Sequence, residues 1–562
     1  MKQTAVRLWV MAAGLLLLIV FACYLSIYRI YQVDEAQNLF MIRVLGTHQT
    51  GTYFSNALLW MLGPFAWGAA SASTSAGLFL AGRLVFMGVF LFNLLLLAVN
   101  SGVRLRSERG LAALLGAASL APLWDYGFEV RHDNLILSGL LLMWWLGRTR
   151  PRGRWSYTAL GFLGVTLLFV AFKSFAYVVP LTLAFLLFPP PGHGRGRLAL
   201  AAAWLAGASV AGLTAFIAYQ SSGLWPVFLA GLQGGKQVSE GASRFGAMVA
   251  LGRLPGQTPL LLGLAAAGLL SAGWTGLKQG WEAATWEGLL PEALLCLGAF
   301  GVLLVNPTPF PYNLVNLVPF LFLLAFRFAA SCWDAESFDP RSVTLAAGVL
   351  VFTHFLPFGL ATWRHLDLTN DRQETLMRTA ESMTDPAKDP VYDAIGMVPT
   401  RPTIGFHWYL HSLNIQAFLT GNRPSVPQML TARPATVLIP SYRTEWLPET
   451  DRRFFQSRYV PLADDFWVLG AVLPPGGGSY EVVHPGRYFV AAVHSGGKNE
   501  PLAPVFLDGL TLKGEAVPLS LGTHAISCAP GTRPMVVWLG PRLNQVPNLG
   551  RGDHLRLFVN WY

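Results

Sequence analysis

Charge is scarce in this 562-residue chain. Only 12% of its residues are Asp, Glu, Lys or Arg, against roughly a quarter in an average soluble domain. With 53% hydrophobic residues, that scarcity points to a polytopic membrane protein. Cysteine is scarce too. Cys23, Cys296, Cys332 and Cys528 are too scattered for a disulfide framework or a zinc site. No Walker A sequence and no GxGxxG on a strand–helix turn occurs, so no soluble-nucleotide fingerprint is present. No internal repeat is evident. The net charge of +10 is no sign of nucleic-acid binding, because its basic residues sit in short loops between apolar runs: Arg104–Arg109, Arg148–Arg154 and Arg195–Arg197.

What is present is a series of apolar segments, near 8–27, 77–99, 110–124, 134–147, 157–172, 175–188, 198–219, 258–274, 289–305, 314–330 and 342–361. Read as eleven transmembrane helices with the N-terminus inside, they put every strongly basic loop on the cytoplasmic side. The first run is longer than a signal-peptide core and lacks a small-x-small cleavage site, so it is expected to be retained. Residues 53–70 carry Gly63-Pro64 and five aromatics, which suits an element lying in the membrane interface rather than a further span. The expectation is a multi-pass protein of a plasma (inner) membrane with its C-terminal third outside, periplasmic in a Gram-negative cell. Residues 1–363 form the membrane domain and 364–474 an extracytoplasmic α/β segment. Residues 475–562, with short alternating runs between turns, form a β-sandwich-like domain.

The polar residues hardest to explain structurally fall on one side of this topology. Asp34 and Glu35, in YRIYQVDEAQN, follow the first span directly. Glu129, Arg131, His132 and Asp133 precede a segment of only about fourteen residues, roughly 21 Å of helix, too short for a ~30 Å hydrocarbon core. Such a helix implies charges recessed in a cavity. Lys173 sits at the outer turn of 157–188, Tyr312-Asn313 before span ten, and Arg83 inside span two. Ionisable groups at membrane depth are costly, which favours use over decoration. Each has a plain alternative. The acid pair suits a helix start, Arg131 and Asp133 can pair with each other, Lys173 can snorkel to headgroups, and Tyr312 can belong to an aromatic belt. His132 reads as structural. Together the set suits a lipid-linked phosphate donor: cations to neutralise a phosphate leaving group and a carboxylate to deprotonate an acceptor hydroxyl.

Five segments carry a resemblance: VDEAQ (33–37), AGRLVFMG (81–88), VRHDNLILSGLLL (130–142), FKSFAYVVP (172–180) and PYNLVNLVPFL (311–321). In order and placement the chain resembles the GT-C superfamily of membrane glycosyltransferases, family 39, which includes protein O-mannosyltransferases and the lipid A aminoarabinose transferase. The resemblance covers roughly residues 1–330. It implies an inverting transfer from a polyprenyl-phosphate sugar on the extracytoplasmic face to a lipid, protein or polysaccharide acceptor, among membrane lipids. Asp34 would be the base and Glu35 a helper or an acceptor-side contact. Lys173 and Arg83 would sit near the donor phosphate, and Arg131 and Asp133 would help shape the cavity; Glu129, Tyr312 and Asn313 are further candidate substrate-binding residues. No cofactor is implied with certainty. A divalent metal is left open, since His48, Glu129 and His132 lack diagnostic spacing. FLDG (506–509) and LSLGTHAIS (519–527) resemble carbohydrate-binding modules, whereas no inserted lumenal trefoil is seen. Two other classes stand beside this one: a glycolipid transporter or flippase, and a non-catalytic scaffold with a glycan-binding sandwich.

Overall fold

The computed structural model describes residues 2–46, 72–149, 153–187, 196–226, 228–229, 245–281, 289–305, 310–333, 345, 348–405, 410, 415, 418–494 and 503–558. The expected interfacial element at 53–70 and His48 lie outside them. Each of the eleven apolar stretches is largely helical in its described part. Among the described residues, five helices are long and apolar enough to cross a membrane: Val6–Tyr28, Ser75–Asn100, Arg197–Ser221, Pro259–Gln279 and Pro311–Cys332. The chain is thus a multi-pass membrane protein, but eleven crossings do not follow from helix length. The stretch at 110–124, for example, breaks into Glu108–Ala118 and Ala121–Tyr126, with Pro122 in the first turn of the second helix. A helix at Phe245–Gln257 was not expected from the sequence.

Local signals set several of these elements. Thr74 caps Ser75–Asn100 by accepting from the Gly77 amide at 3.2 Å. That helix runs parallel to His132–Trp144, and two asparagine rungs seven residues apart tie them. Asn93 Nδ2 donates to the Asn134 carbonyl (3.2 Å) and Asn100 Nδ2 to the Leu141 carbonyl (2.9 Å). Interhelical amide bonds of this kind hold helices together where the surroundings are as apolar as the side chains. Elsewhere glycine does the same work. A Cβ on Gly161 would lie 1.9 Å from the Trp204 carbonyl oxygen, and one on Gly207 would lie 1.9 Å from that of Thr158. Helices Arg154–Val170 and Arg197–Ser221 therefore touch backbone to backbone.

The C-terminal region contains two sheets. Strands β1 (Val391–Tyr392), β2 (Val437–Leu438), β3 (Tyr459–Ala463), β4 (Phe466–Val472), β6 (Gly486–His494), β9 (Glu515–Leu519) and β11 (Thr532–Trp538) form a seven-stranded sheet of order β1-β2-β4-β11-β6-β9, with β3 paired to β4. Strands β5 (Gly477–Val482), β7 (Val505–Leu507), β8 (Leu510–Leu512) and β10 (Gly522–Cys528) form the second, of order β5-β10-β7-β8. The larger sheet crosses the boundary expected at 474/475, because β4 pairs antiparallel with β11. Residue 470 is glycine at the closest approach: a Cβ there would lie 2.1 Å from the Val536 carbonyl oxygen. FLDG has a local explanation. Asp508 (φ +48°) and Gly509 (φ +85°) form the two-residue turn joining β7 to β8.

The C-terminal region is stitched to the loop that carries the acid pair. Ile30 donates to the Leu368 carbonyl (2.8 Å) and Asn370 to that of Tyr28 (2.9 Å). The Gln373 side chain accepts from the Tyr31 amide (2.7 Å) and donates to the carbonyls of Tyr31 (3.0 Å) and Leu557 (2.9 Å). Glu381, at the far end of helix Asp371–Met383, accepts from the Ser75 amide (2.6 Å). The ends of two spanning helices thus meet the C-terminal region at one face of the bundle.

Candidate active site

At that face Asp34 and Glu35 occupy the first turn of helix Val33–Gly46, where the helix dipole favours carboxylates. Successive residues on a helix are rotated by about 100°, so the two acids point apart. Glu35 turns inward and is fully buried. It accepts from Arg83 Nε (2.9 Å) and Nη2 (2.6 Å), from the Gln32 amide (3.0 Å) and from the Val130 amide (3.2 Å). Arg83, equally buried, also donates to the carbonyls of Arg29 and Ile30. Glu35 and Arg83 are thus sealed together in the interior, away from the opening. Both fix the loop beneath Asp34.

A second buried pair completes this floor. Arg29 Nη2 meets Glu129 Oε1 at 2.8 Å, its Nη1 donates to the Trp124 carbonyl (2.7 Å), and its guanidinium lies 4.5 Å from the Phe128 ring centroid. Arg29, adjacent to the acid-pair motif, was missed in the sequence. Its place at the end of a spanning helix, at membrane depth, was the available signal. The pairing is multivalent, as buried ion pairs must be if desolvation is to be offset.

Above the floor lies a layer that opens outward. Arg131 Nη1 meets Asp34 Oδ2 at 2.6 Å, and Arg131 Nε lies 3.5 Å from Asp133 Oδ2. Lys173 Nζ meets Asp133 Oδ1 and donates to Asn313 Oδ1 at 3.3 Å. Tyr312 lies between the cations, its ring centroid 4.1 Å from the Arg131 guanidinium and 4.9 Å from the Lys173 ammonium. Exposure grades from floor to rim: Asp133 is fully buried, the Lys173 side chain is 18% exposed and that of Asp34 33%. His132 lies 3.7 Å from Asp133 at the same rim. Glu129 Oε2 and Asp133 Oδ2 are buried without a hydrogen-bond partner, two acceptors facing donors only at ion-pair distance.

The structure thus gathers Asp34, Arg131, Asp133, Lys173, Tyr312 and Asn313 in one layer and Glu35, Arg83 and Glu129 in another. Burial acts to raise the Asp34 carboxyl, but the charge of Arg131 and then that of Arg443 hold it below the usual carboxylate range. Arg443 comes from the C-terminal region, more than four hundred residues along the chain, and no local signal marked it. Its Nη1 donates to the Leu410 carbonyl (2.6 Å), and its guanidinium lies 4.9 Å from the Trp446 ring centroid. An ionised, accessible carboxylate beside two cations can accept a proton from a hydroxyl while the cations hold an anion.

Of the metal candidates offered by the sequence, His48 lies outside the described residues, and Glu129 and His132 fall in no cluster of three ligands among the described ones. Among the described residues, Asp464, Asp553 and His554 are grouped closely enough to hold a cation, on the surface of the C-terminal region. The two aspartates are exposed and His554 is half-buried, and its Nδ1 already meets Asp464 Oδ2 at 2.5 Å.

No family model matches the sequence, and no curated protein matches it. Among solved structures, the chain is similar to the Archaeoglobus fulgidus oligosaccharyltransferase, crystallised in complex with Zn and sulfate. The identity is 10% and the TM-score 0.43, over 92% of this chain and 96% of that one. A likeness that loose carries no inference about fold or activity.

Proposed function

We propose that the chain is a membrane glycosyltransferase of the GT-C kind. In this reading it moves a sugar from a polyprenyl-phosphate-linked donor to an acceptor hydroxyl, with inversion, at the membrane face that bears the C-terminal region. One observation carries the reading: the accessible carboxylate of Asp34 lies beside Arg131 and near Lys173 at a membrane-depth rim, over a floor of buried ion pairs. The acceptor oxygen attacks the anomeric carbon, and Asp34 takes its proton. The bond from that carbon to the phosphate oxygen breaks, and the phosphate leaves with the electron pair. Lys173 and Arg131 offset its charge. Arg131 then contacts both the phosphate and Asp34, and Asn313 and Tyr312 hold the Lys173 ammonium in place. Glu35, Arg83, Arg29 and Glu129 keep the rim rigid. The multi-pass topology and the basic loops support a plasma membrane location with the C-terminal region outside.

The test uses purified full-length protein in lipid nanodiscs with a panel of polyprenyl-phosphate sugars and total membrane extract as acceptor. Release of free polyprenyl phosphate, with sugar appearing in the extract, is expected. Lys173→Met should raise KM for the donor more than it lowers kcat. Passage of the glycolipid across vesicles without release of polyprenyl phosphate would replace the enzyme with a flippase.

A further inference from the structure

The C-terminal region holds a cavity of about 370 Å³, at the lower end of the ~300–1,000 Å³ range of small-molecule sites. Its wall includes Trp467, Thr444, Glu445, Arg453, Asp464 and His554. These come from four places in the chain: the turn Thr444–Trp446, helix Glu449–Arg458, the β3–β4 connection with the start of β4, and the C-terminal stretch.

The polar groups are fixed to one another before any ligand arrives. His554 joins two carboxylates, Asp464 at 2.5 Å and Glu445 at 3.2 Å. Arg452 holds Glu445 at 2.8 Å, and Arg453 is paired with Glu449. Trp467 Nε1 donates to the Asp464 carbonyl (3.1 Å), which anchors the indole. The rim therefore presents many hydrogen-bonding atoms and an aromatic ring, yet little uncompensated charge. The wall sets three carboxylates, Glu445, Glu449 and Asp464, against Arg452, Arg453 and His554, so an anion would find no surplus of positive charge. A neutral, hydroxyl-rich ring finds what it needs: an aromatic surface for its C–H face and planar donors and acceptors for its hydroxyls.

Two chain connections link this cavity to the candidate active site. Thr444 and Glu445 directly follow Arg443, whose charge acts on Asp34. His554 is three residues from Leu557, at most about 11 Å of chain. The Leu557 carbonyl accepts from the same Gln373 amide that donates to the Tyr31 carbonyl, three residues before Asp34.

We infer that this cavity binds a neutral pyranose residue of a carbohydrate acceptor and holds it beside Asp34. The assignment of an acceptor rests on the transferase reading above; binding of the sugar does not.

The test is a printed array of neutral hexose- and N-acetylhexosamine-terminated oligosaccharides, probed with the detergent-solubilised full-length protein. Hits are then titrated by calorimetry. Wild type should bind a subset. Trp467→Ala and, at the exposed rim where folding is not at stake, Arg453→Ala should each weaken the binding at least tenfold. The inference is overturned if no oligosaccharide binds, if both cavity variants bind like wild type, or if the cavity variants abolish binding to a peptide array instead. Glycan binding without any sugar transfer by wild type would defeat the transferase and leave the cavity standing. Transfer with unchanged acceptor KM in both cavity variants would do the reverse.

Discussion

Removing the Glu35 carboxylate should unlatch the floor of the site. Glu35→Ala leaves the Arg83 guanidinium fully buried without its charge partner and strips the Gln32 and Val130 amides of their acceptor. Breaking one member of a buried pair costs about 3–5 kcal/mol, because the remaining charge stays desolvated. That is roughly a hundred- to several-thousand-fold in the local opening equilibrium. The assay is amide hydrogen exchange by mass spectrometry on peptides containing Gln32 and Val130, in detergent-solubilised protein. Both should lose protection by that factor. The double variant Glu35→Ala/Arg83→Leu removes both charges and should recover most of it, since replacing a buried pair with apolar groups is often near neutral. Wild-type protection in Glu35→Ala would refute the argument that this acid is a structural latch. It would return Glu35 to the catalytic role that the sequence suggested.

Three further outcomes are expected. Gly207→Ala should lower the thermal unfolding temperature through an overpacking cost of about 1–3 kcal/mol. Gly212→Ala, whose Cβ would have its nearest neighbour at 4.0 Å, should be close to neutral. The folded-state pKa of Asp34 is depressed, so both its ion pair and its basicity persist above the ordinary carboxylate range and are lost only as pH falls below about 4. The profile of kcat/KM should then show no acid limb between pH 8 and about 5, and an inflection near 6 assigned to Asp34 would contradict this. Gln373→Ala leaves the Tyr31 amide without its acceptor, at a cost of about 1–3 kcal/mol, and should raise hydrogen exchange at Tyr31 without affecting helix Arg197–Ser221.

Much of this site was legible because ionisable residues at membrane depth are rare and conspicuous. Asp34, Arg131, Asp133, Lys173 and the Tyr312-Asn313 pair are drawn from four separate stretches, and the structure brings them into one layer. That Asp34 and Glu35 point to different sides was not legible. It depends on a helix beginning at Val33, which turns adjacent acids to different sides. Asn93 and Asn100 were not singled out in the sequence, and their role appears only when a parallel helix presents carbonyls at the same seven-residue interval. Arg443 carried no local signal at all. The count of eleven spans does not follow from the helices for a related reason, since hydropathy registers apolar content but not the break at Ser119–Leu120. Likewise, the short strands after residue 475 showed their alternation but not their partners, so the sheet that joins them to β4 was read as two units.

The central claim is that Asp34 accepts the acceptor proton, and the direct measurement is single-turnover sugar transfer by purified Asp34→Asn beside wild type. The account predicts protein with wild-type unfolding and wild-type donor binding, but turnover lower by about 10²–10⁴-fold. Transfer at the wild-type rate by the folded variant would contradict it.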